Sequence, residues 1–198
     1  MNWLAHALLS EDSVEFRLGN VLADLVKGRQ RKTMTSEFLR VVKHHQKIDA
    51  FTDTHPIVSL SQSRISDPYR RFSGILVDIF YDHFLANTWE QHCPSPLSDF
   101  TAVLYLQMQN YPVKFVDETQ LAIDRMIADD RLSSYQHVDG IGDTLLRVSN
   151  RIYERTGRDF ELQQAVDELT CNYDGLADDF AQFFPELKRY VGMHETAH

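Results

Sequence analysis

Carboxylates and imidazoles interrupt several apolar segments in the first half of the chain. The segment LVDIFYDHFLAN carries Asp78, Asp82 and His83 among large aliphatic and aromatic residues. An isolated carboxylate is costly to bury, so each must be paired with a cation, protonated or bound to a metal. Pairing with Arg70 or Arg71, one or two turns earlier, is the structural alternative to a metal site.

A second segment, KHHQKIDAFTDTH, places His45, Asp49 and Asp53 four residues apart. On a helix, such residues are neighbours on one face, about 5–6 Å apart. Asp78 and Asp82 have the same spacing. A solvated polar stripe is one interpretation of the first set, and a metal-binding face is the other.

Two further candidates lie among aliphatic residues on predicted helices, namely His6 in NWLAH and Asp24 in GNVLADLVKG. Either residue alone is more often a satisfied core group than a ligand. Together the four segments supply the candidate groups His6, Asp24, His45, Asp49, Asp53, Asp78, Asp82 and His83. Carboxylates and imidazoles without thiolates favour manganese, magnesium or iron over a structural zinc.

The elements that must position these groups are predicted to be helices. Apolar residues recur at spacings of three and four, glycines number 8 and prolines 6, and no segment alternates as a strand would. The pattern predicts a helix from Phe16 that ends near Gly28, and a second over 38–51 that ends before Pro56. Further helical segments are predicted over 69–92, 97–108, 112–127, 141–153 and 160–190. We therefore predict a single all-α domain, a helical bundle, over residues 1–198.

Composition excludes some classes of function. The net charge of −9 argues against a nucleic-acid binder that relies on a general basic field. Cys93 and Cys171 show no C-x-x-C spacing, which is ordinary usage for a reducing compartment. The N-terminal segment lacks a basic n-region and a cleavage site, and no apolar segment approaches the ~20 residues that span a bilayer. We expect a soluble cytoplasmic protein that binds neither membrane nor nucleic acid.

Taken in order, the segments resemble the acyl carrier protein phosphodiesterase family, also called the holo-acyl-carrier-protein hydrolases. NWLAH resembles the family's N-F-L-A-H, and GNVLADLVKG resembles G-N-L-L-A-D-F-V-[KR]-G. HQKIDAFTD resembles H-R-x-I-D-x-x-T-D, and LVDIFYDHFLANTW resembles L-D-[VI]-x-[WY]-D-H-F-L-x-x-x-W. NYDGLADDFAQFFPEL resembles the C-terminal helix, so the resemblance spans essentially the whole chain. Trp3 and Gln46 depart from the family's usual Phe and Arg, and the loss of that Arg weakens an expected phosphate contact.

The resemblance implies a divergent relative of the HD phosphohydrolases, all-helical and dependent on a divalent metal. The implied metal is manganese first, with magnesium or iron as alternatives. The implied reaction is hydrolysis of the phosphodiester that joins 4′-phosphopantetheine to a serine of acyl carrier protein. Metal-activated water would attack, since a bound metal lowers the pKa of water from roughly 15.7 towards about 7. The alternatives are an HD-type phosphohydrolase acting on a nucleotide or another phosphodiester, and a non-catalytic helical binding protein.

The resemblance and the residue chemistry together predict the roles at the site. Asp24, Asp78, Asp82 and His83 are predicted to form its centre, with His6, His45 and Asp49 as further ligands or outer partners and Asp53 as a less certain outer partner. The predicted catalytic residues are Asp82, His83 and His45. Because Asp82 and His83 diverge by ~100° on a helix, one could bind the metal while the other moves a proton.

The predicted substrate requires a basic docking surface, because acyl carrier protein and this chain are both acidic. Basic residues cluster in KGRQRK and again before the helix that carries Asp78. The predicted partner-binding residues are Lys27, Arg29, Arg31, Lys32, Arg70 and Arg71. Such a patch could dock an acidic helix while the net charge stays negative, and an ordinary solvated face is the alternative.

Overall fold

The chain folds into helices joined by turns in a computed structural model that describes residues 1–26, 28–112 and 115–195, without the side chains of residues 29 and 193–195. The α-helices are α1 Trp3–Leu8, α2 Val14–Leu22, α3 Gly28–Arg31, α4 Ser36–Thr54, α5 Pro56–Arg64, α6 Ser73–Asn87, α7 Leu97–Gln109, α8 Asp117–Ala128, α9 Val138–Thr156, α10 Val166–Cys171 and α11 Tyr173–Glu195. Short 3-10 turns lie at Asp67–Phe72, Trp89–Gln91, Ser133–Gln136 and Leu162–Ala165. These ranges contain no strand, which confirms the all-α prediction, and no helix long and apolar enough to cross a bilayer.

Predicted and observed helix bounds agree best where a strong stop signal exists. Helix α4 ends at Thr54, before Pro56, as predicted. Helix α2 ends at Leu22, earlier than predicted, and a turn follows in which Arg31 donates hydrogen bonds to the carbonyl oxygens of Ala23 and Val26. The segment predicted over 160–190 is divided into a 3-10 turn, α10 and α11.

Helix α6 lies at the centre of the fold and packs against α1, α5, α9 and α11. Its buried residues run without a gap from Ile79 to Ala86, so the helix has no solvated face there. A helix that is apolar on every side is expected to be buried on every side. Tyr81 stacks edge-on against Phe180 of α11, with ring centroids 5.4 Å apart. Helix α6 is therefore the element through which the N-terminal and C-terminal helices meet.

Helices α2 and α4 approach closely at Gly19. A Cβ at this position would lie 3.1 Å from the Cβ of Val41, tighter than almost all real contacts of this kind. The absence of a side chain at Gly19 therefore lets the two backbones come together. This approach brings the next residue, Asn20, against His45 of α4.

Helix α9 is held against the 3-10 turn Ser133–Gln136 at Gly140, where a Cβ would lie 2.1 Å from the backbone oxygen of Ser134. We expect Gly140→Ala to lower the free energy of unfolding by about 1–3 kcal/mol, because either the turn or the helix must move. Urea denaturation measures this change. Gly142→Ala is the matched control, since nothing lies within 4 Å of its added Cβ; it should raise stability by roughly 0.5–1 kcal/mol. Equal stability of the two variants would contradict the packing argument.

Candidate metal centre

Three side chains from two helices converge at one point. His6 comes from α1, and His45 and Asp49 come from α4, one turn apart as predicted. One candidate ligand atom from each residue lies within 4.8 Å of the other two. The imidazole rings stack with centroids 3.9 Å apart, and each Nε2 lies 3.1 Å from a different oxygen of the Asp49 carboxylate.

Asn20 of α2 determines which nitrogen of each imidazole faces Asp49. Its side-chain oxygen lies 3.1 Å from Nδ1 of His6, and its backbone oxygen lies 3.0 Å from Nδ1 of His45. The amide nitrogen of Asn20 donates to the backbone oxygen of His6 and to Ser10 Oγ, which fixes the orientation of the amide. Carbonyl oxygens only accept hydrogen bonds, so both Nδ1 atoms carry the proton, and the neutral form of each imidazole presents a lone pair at Nε2.

The charges around Asp49 do not balance among the protein's own groups at this point. Burial lowers the pKa of His6 to about 4, so this imidazole is neutral at pH 7. Burial acts to raise the pKa of Asp49, but the neighbouring imidazoles and the N-terminal ammonium group hold it below its ordinary value, so the carboxylate is ionised. The Nε2 lone pair of the neutral His6 therefore faces an anion, and Nε2 of His45 lies equally close to it.

The surroundings of the His45 Nε2 atom are those of a metal ligand. It is buried and has no hydrogen-bond partner within the described residues, although Asp49 Oδ2 lies only 3.1 Å away. A buried polar atom without a partner is rare and requires an explanation. A divalent cation among the three side chains would accept both imidazole lone pairs and balance the carboxylate, so the residues present fit a metal ion.

Asp24 and Asp78 lie at the edges of this cluster. Asp24 Oδ2 lies 3.7 Å from Nε2 of His45. Asp78 Oδ1 accepts a hydrogen bond from the ammonium group of Met1 at 3.0 Å, and the same ammonium group lies 3.7 Å from Asp49 Oδ1. Burial raises the pKa of Asp78, while the ammonium group acts in the opposite direction. The ammonium group of Met1 is thus shared between Asp78 and Asp49.

Asp82 faces the backbone of α1 instead of the cluster. It is fully buried, and its two oxygens accept hydrogen bonds from the N–H groups of Leu4 at 2.8 Å and Ala5 at 3.1 Å. Burial raises the pKa of Asp82 to about 7, although the two N–H groups act against the burial. The N-cap residue of α1, Asn2, makes no side-chain cap hydrogen bond, so Asp82 performs that function from another helix. Through α1 it positions His6.

His83 and Asp53 lie away from the cluster. His83 Nδ1 lies 2.8 Å from the backbone oxygen of Tyr135, and Nε2 lies 3.3 Å from the hydroxyl of Tyr173. Asp53 is exposed, one turn beyond Asp49. The structure thus brings together His6, His45 and Asp49, the three residues predicted as further ligands. Of the four residues predicted to form the centre, Asp24 and Asp78 lie at the edges of this cluster, and Asp82 and His83 lie apart from it.

The arginines before α6 do not neutralise its carboxylates. Arg70 pairs with Asp67, with an Nη2 to Oδ1 distance of 3.3 Å. The guanidinium of Arg71 lies 3.8 Å from the centre of the Phe160 ring. In the part of the chain that the structure describes, neither arginine forms an ion pair with the carboxylates of α6, as the non-metal interpretation would require.

The other predicted docking residues have different surroundings. Arg31 is engaged by two backbone carbonyl groups, with distances of 2.8 and 3.1 Å. Lys32 is exposed. Lys27 and the side chain of Arg29 lie outside the described residues. Docking of an acidic partner at this surface stays a prediction.

A cavity of about 280 Å³ opens beside the cluster. Its lining includes the carboxylates of Asp24 and Asp78, and α9 contributes Arg147, Arg151 and Arg155. These three residues, four apart on one face of α9, form what we call the arginine ladder. The sequence patterns above predict neither the arginine ladder nor the role of Asn20 in LGNVL. Both signals are visible in the sequence, as arginines spaced by four and as an amide among aliphatic residues.

Fold and site together define an all-helical protein with a candidate centre of two imidazoles and one carboxylate for a divalent metal. The model of the acyl carrier protein phosphodiesterase family matches residues 1–187. The chain belongs to this family, which confirms the resemblance predicted from the motifs.

The relatives that match the chain do so over nearly their whole length. One from Yersinia pestis, named acyl carrier protein phosphodiesterase, is 30% identical and covers 96% of each chain. One of the same name from Klebsiella pneumoniae is 30% identical over 96% of each chain. One from Escherichia coli is 29% identical over 94% of this chain and 95% of its own. No solved structure gives a significant match.

Replacing Asp82 should destabilise the protein even without metal. Asp82→Ala leaves the N–H groups of Leu4 and Ala5 buried and unsatisfied, at about 1–3 kcal/mol each, so we expect the free energy of unfolding to fall by about 2–5 kcal/mol. Urea denaturation in the presence of a chelator measures the change. Asp53→Ala, an exposed carboxylate, should stay within about 0.5 kcal/mol of the wild type. An Asp82→Ala variant as stable as the wild type would rule out the capping role.

Proposed function

We propose that the protein hydrolyses the phosphodiester of holo-acyl carrier protein and releases 4′-phosphopantetheine and apo-acyl carrier protein. The observation that carries the proposal is the family match. Relatives at 29–30% identity, matched over at least 94% of this chain, bear the name acyl carrier protein phosphodiesterase.

We further propose that His6, His45 and Asp49 hold a divalent cation, with Asp24 and Asp78 as additional oxygen donors at the edge. The partnerless Nε2 of His45 supports this assignment. The family resemblance implies manganese first, with magnesium or iron as alternatives, and imidazole and carboxylate donors without a thiolate argue against a structural zinc. When bound, such an ion supplies activated water at neutral pH and neutralises charge on the phosphoryl oxygens.

The protein's own groups orient this donor set. Asn20 accepts from both Nδ1–H groups, so each imidazole is fixed in the tautomer and rotation that aim Nε2 at the cluster. Asp82, predicted as a ligand and catalytic residue, is assigned instead to position His6 through α1. Burial lowers the pKa of His83, so this imidazole is neutral. Its proton-transfer role stays a prediction, since its hydrogen-bond partners are Tyr135 and Tyr173.

Turnover of holo-acyl carrier protein tests the activity directly. Incubation with Mn²⁺ should remove one phosphopantetheine group, measured as a mass shift of the carrier protein, and chelation should stop the reaction. Asp49→Asn should reduce the rate by more than about 100-fold, because losses of outer partners alone reach that value. Glu37→Gln, on the same helix α4, should leave the rate unchanged. Nucleotide hydrolysis with an unaltered carrier protein would support the HD-type alternative and reject the proposed substrate.

Asn20→Ala tests the orientation of the imidazoles. The variant removes the acceptor of His6 Nδ1 but keeps the backbone acceptor of His45, so one of two imidazole donors loses its support. We expect Mn²⁺ affinity, measured by calorimetric titration, to fall by about 10–100-fold. Asn110→Ala, an exposed amide after α7, should bind Mn²⁺ as the wild type does. Unchanged affinity of the Asn20 variant would contradict the proposed role.

A further inference from the structure

The arginine ladder gives the cavity one cationic wall. Arg147, Arg151 and Arg155 repeat every four residues, so their side chains lie on one face of α9, and all three line the cavity. Within the described part of the chain, none of the three takes part in an ion pair, whereas Arg131, at the same cavity, is paired with Asp129 at 2.9 Å. The ladder therefore carries positive charge that the protein does not compensate.

Arg147 is the member of the ladder with the least access to water. It is half-buried, whereas Arg151 and Arg155 are exposed. Among the described residues, its side chain donates one hydrogen bond, from Nη2 to Thr144 Oγ1 at 2.8 Å. Burial lowers the pKa of Arg147, and the neighbouring Arg131 lowers it further. A partly desolvated cation beside a second cation is unfavourable, so an anion in the cavity would relieve both costs.

The other walls of the cavity limit the ligand that fits. Asp24 and Asp78, at the edge of the proposed metal centre, also line the cavity, and Ile79, Val148 and Ile152 supply apolar surface to it. Arginine forks match the geometry of phosphoryl oxygens. A ligand that complements all three walls has a phosphoryl group followed by an extended, largely uncharged chain.

We propose that Arg147 and Arg151 form the subsite for the phosphoryl group of the phosphopantetheine arm. This inference rests on the proposed function and identifies the residues that bind the reacting phosphodiester. The two guanidinium groups would hold the non-bridging oxygens from the α9 side, and the pantetheine chain would lie against the apolar surface. Both residues would contact the substrate directly.

Binding of the product isolates this subsite from catalysis. Titration of the whole protein with 4′-phosphopantetheine in the presence of a chelator excludes any contribution of a cation. Pantetheine, which lacks the phosphoryl group, should bind at least about tenfold more weakly. Arg147→Gln and Arg151→Gln should each weaken 4′-phosphopantetheine binding by about tenfold, leave pantetheine binding unchanged and remove most of the salt dependence. Arg147→Lys, which keeps the charge but not the fork, should bind with intermediate affinity.

Arg125→Gln, which removes an exposed arginine of α8, is the matched control and should bind both compounds as the wild type does. Equal affinity of the wild type for the two compounds would overturn the proposal, as would unchanged binding in both ladder variants. If one ladder variant does not fold, two measurements still decide the question. These are the binding of 4′-phosphopantetheine and pantetheine to the wild type, and their binding to the other ladder variant. Arginine-dependent binding without turnover of holo-acyl carrier protein would reject the proposed function alone. Turnover that the ladder variants leave unchanged would reject the subsite alone.

Discussion

The candidate centre depends on the fact that one residue, Asn20, supplies hydrogen-bond acceptors to two histidines. The side-chain oxygen of Asn20 accepts a hydrogen bond from Nδ1–H of His6, and its backbone oxygen accepts one from Nδ1–H of His45. Both imidazoles must then turn their unprotonated nitrogens towards Asp49. A neutral imidazole whose lone pair faces an ionised carboxylate is unfavourable by itself, so the hydrogen bonds that orient the imidazoles also favour a bound cation.

Two features outside the centre allow this arrangement. Gly19 lets α2 lie close enough to α4 for the Asn20 carbonyl to reach His45, where a larger residue would push the helices apart. Asp82 satisfies the first N–H groups of α1, a helix of only 6 residues that carries His6. Such a short helix has little stability of its own. The buried carboxylate of α6 is therefore used to hold a ligand-bearing helix, which explains its burial without a metal contact.

The sequence predicts geometry within one helix better than it predicts contacts between helices. Helical spacing correctly places His45 and Asp49 on one face, because two residues one turn apart in one helix need no tertiary information. The same spacing shows that Asp82 and His83 diverge, but it cannot show that Asp82 meets the end of α1. The sequence pattern extends α2 towards Gly28, beyond its observed end at Leu22, for a related reason. Arg31, from the following segment, donates hydrogen bonds to the carbonyl oxygens of Ala23 and Val26 in the turn after α2. The arginine ladder is visible as a period of four, yet only the packing of α9 reveals that it lines a cavity.

The cavity is lined by charges of both signs that do not pair with each other. Asp24, Asp78, Arg147 and Arg151 all line it, Asp78 is paired with the ammonium group of Met1, and no ion pair joins the two acids to the two arginines within the described chain. Direct pairing would be the cheapest arrangement for a protein that only had to fold, because buried ions are costly unless matched. The carboxylates instead favour a bound cation and the guanidinium groups favour a bound anion, so a metal ion with a phosphodiester would complement both sets of charges at once.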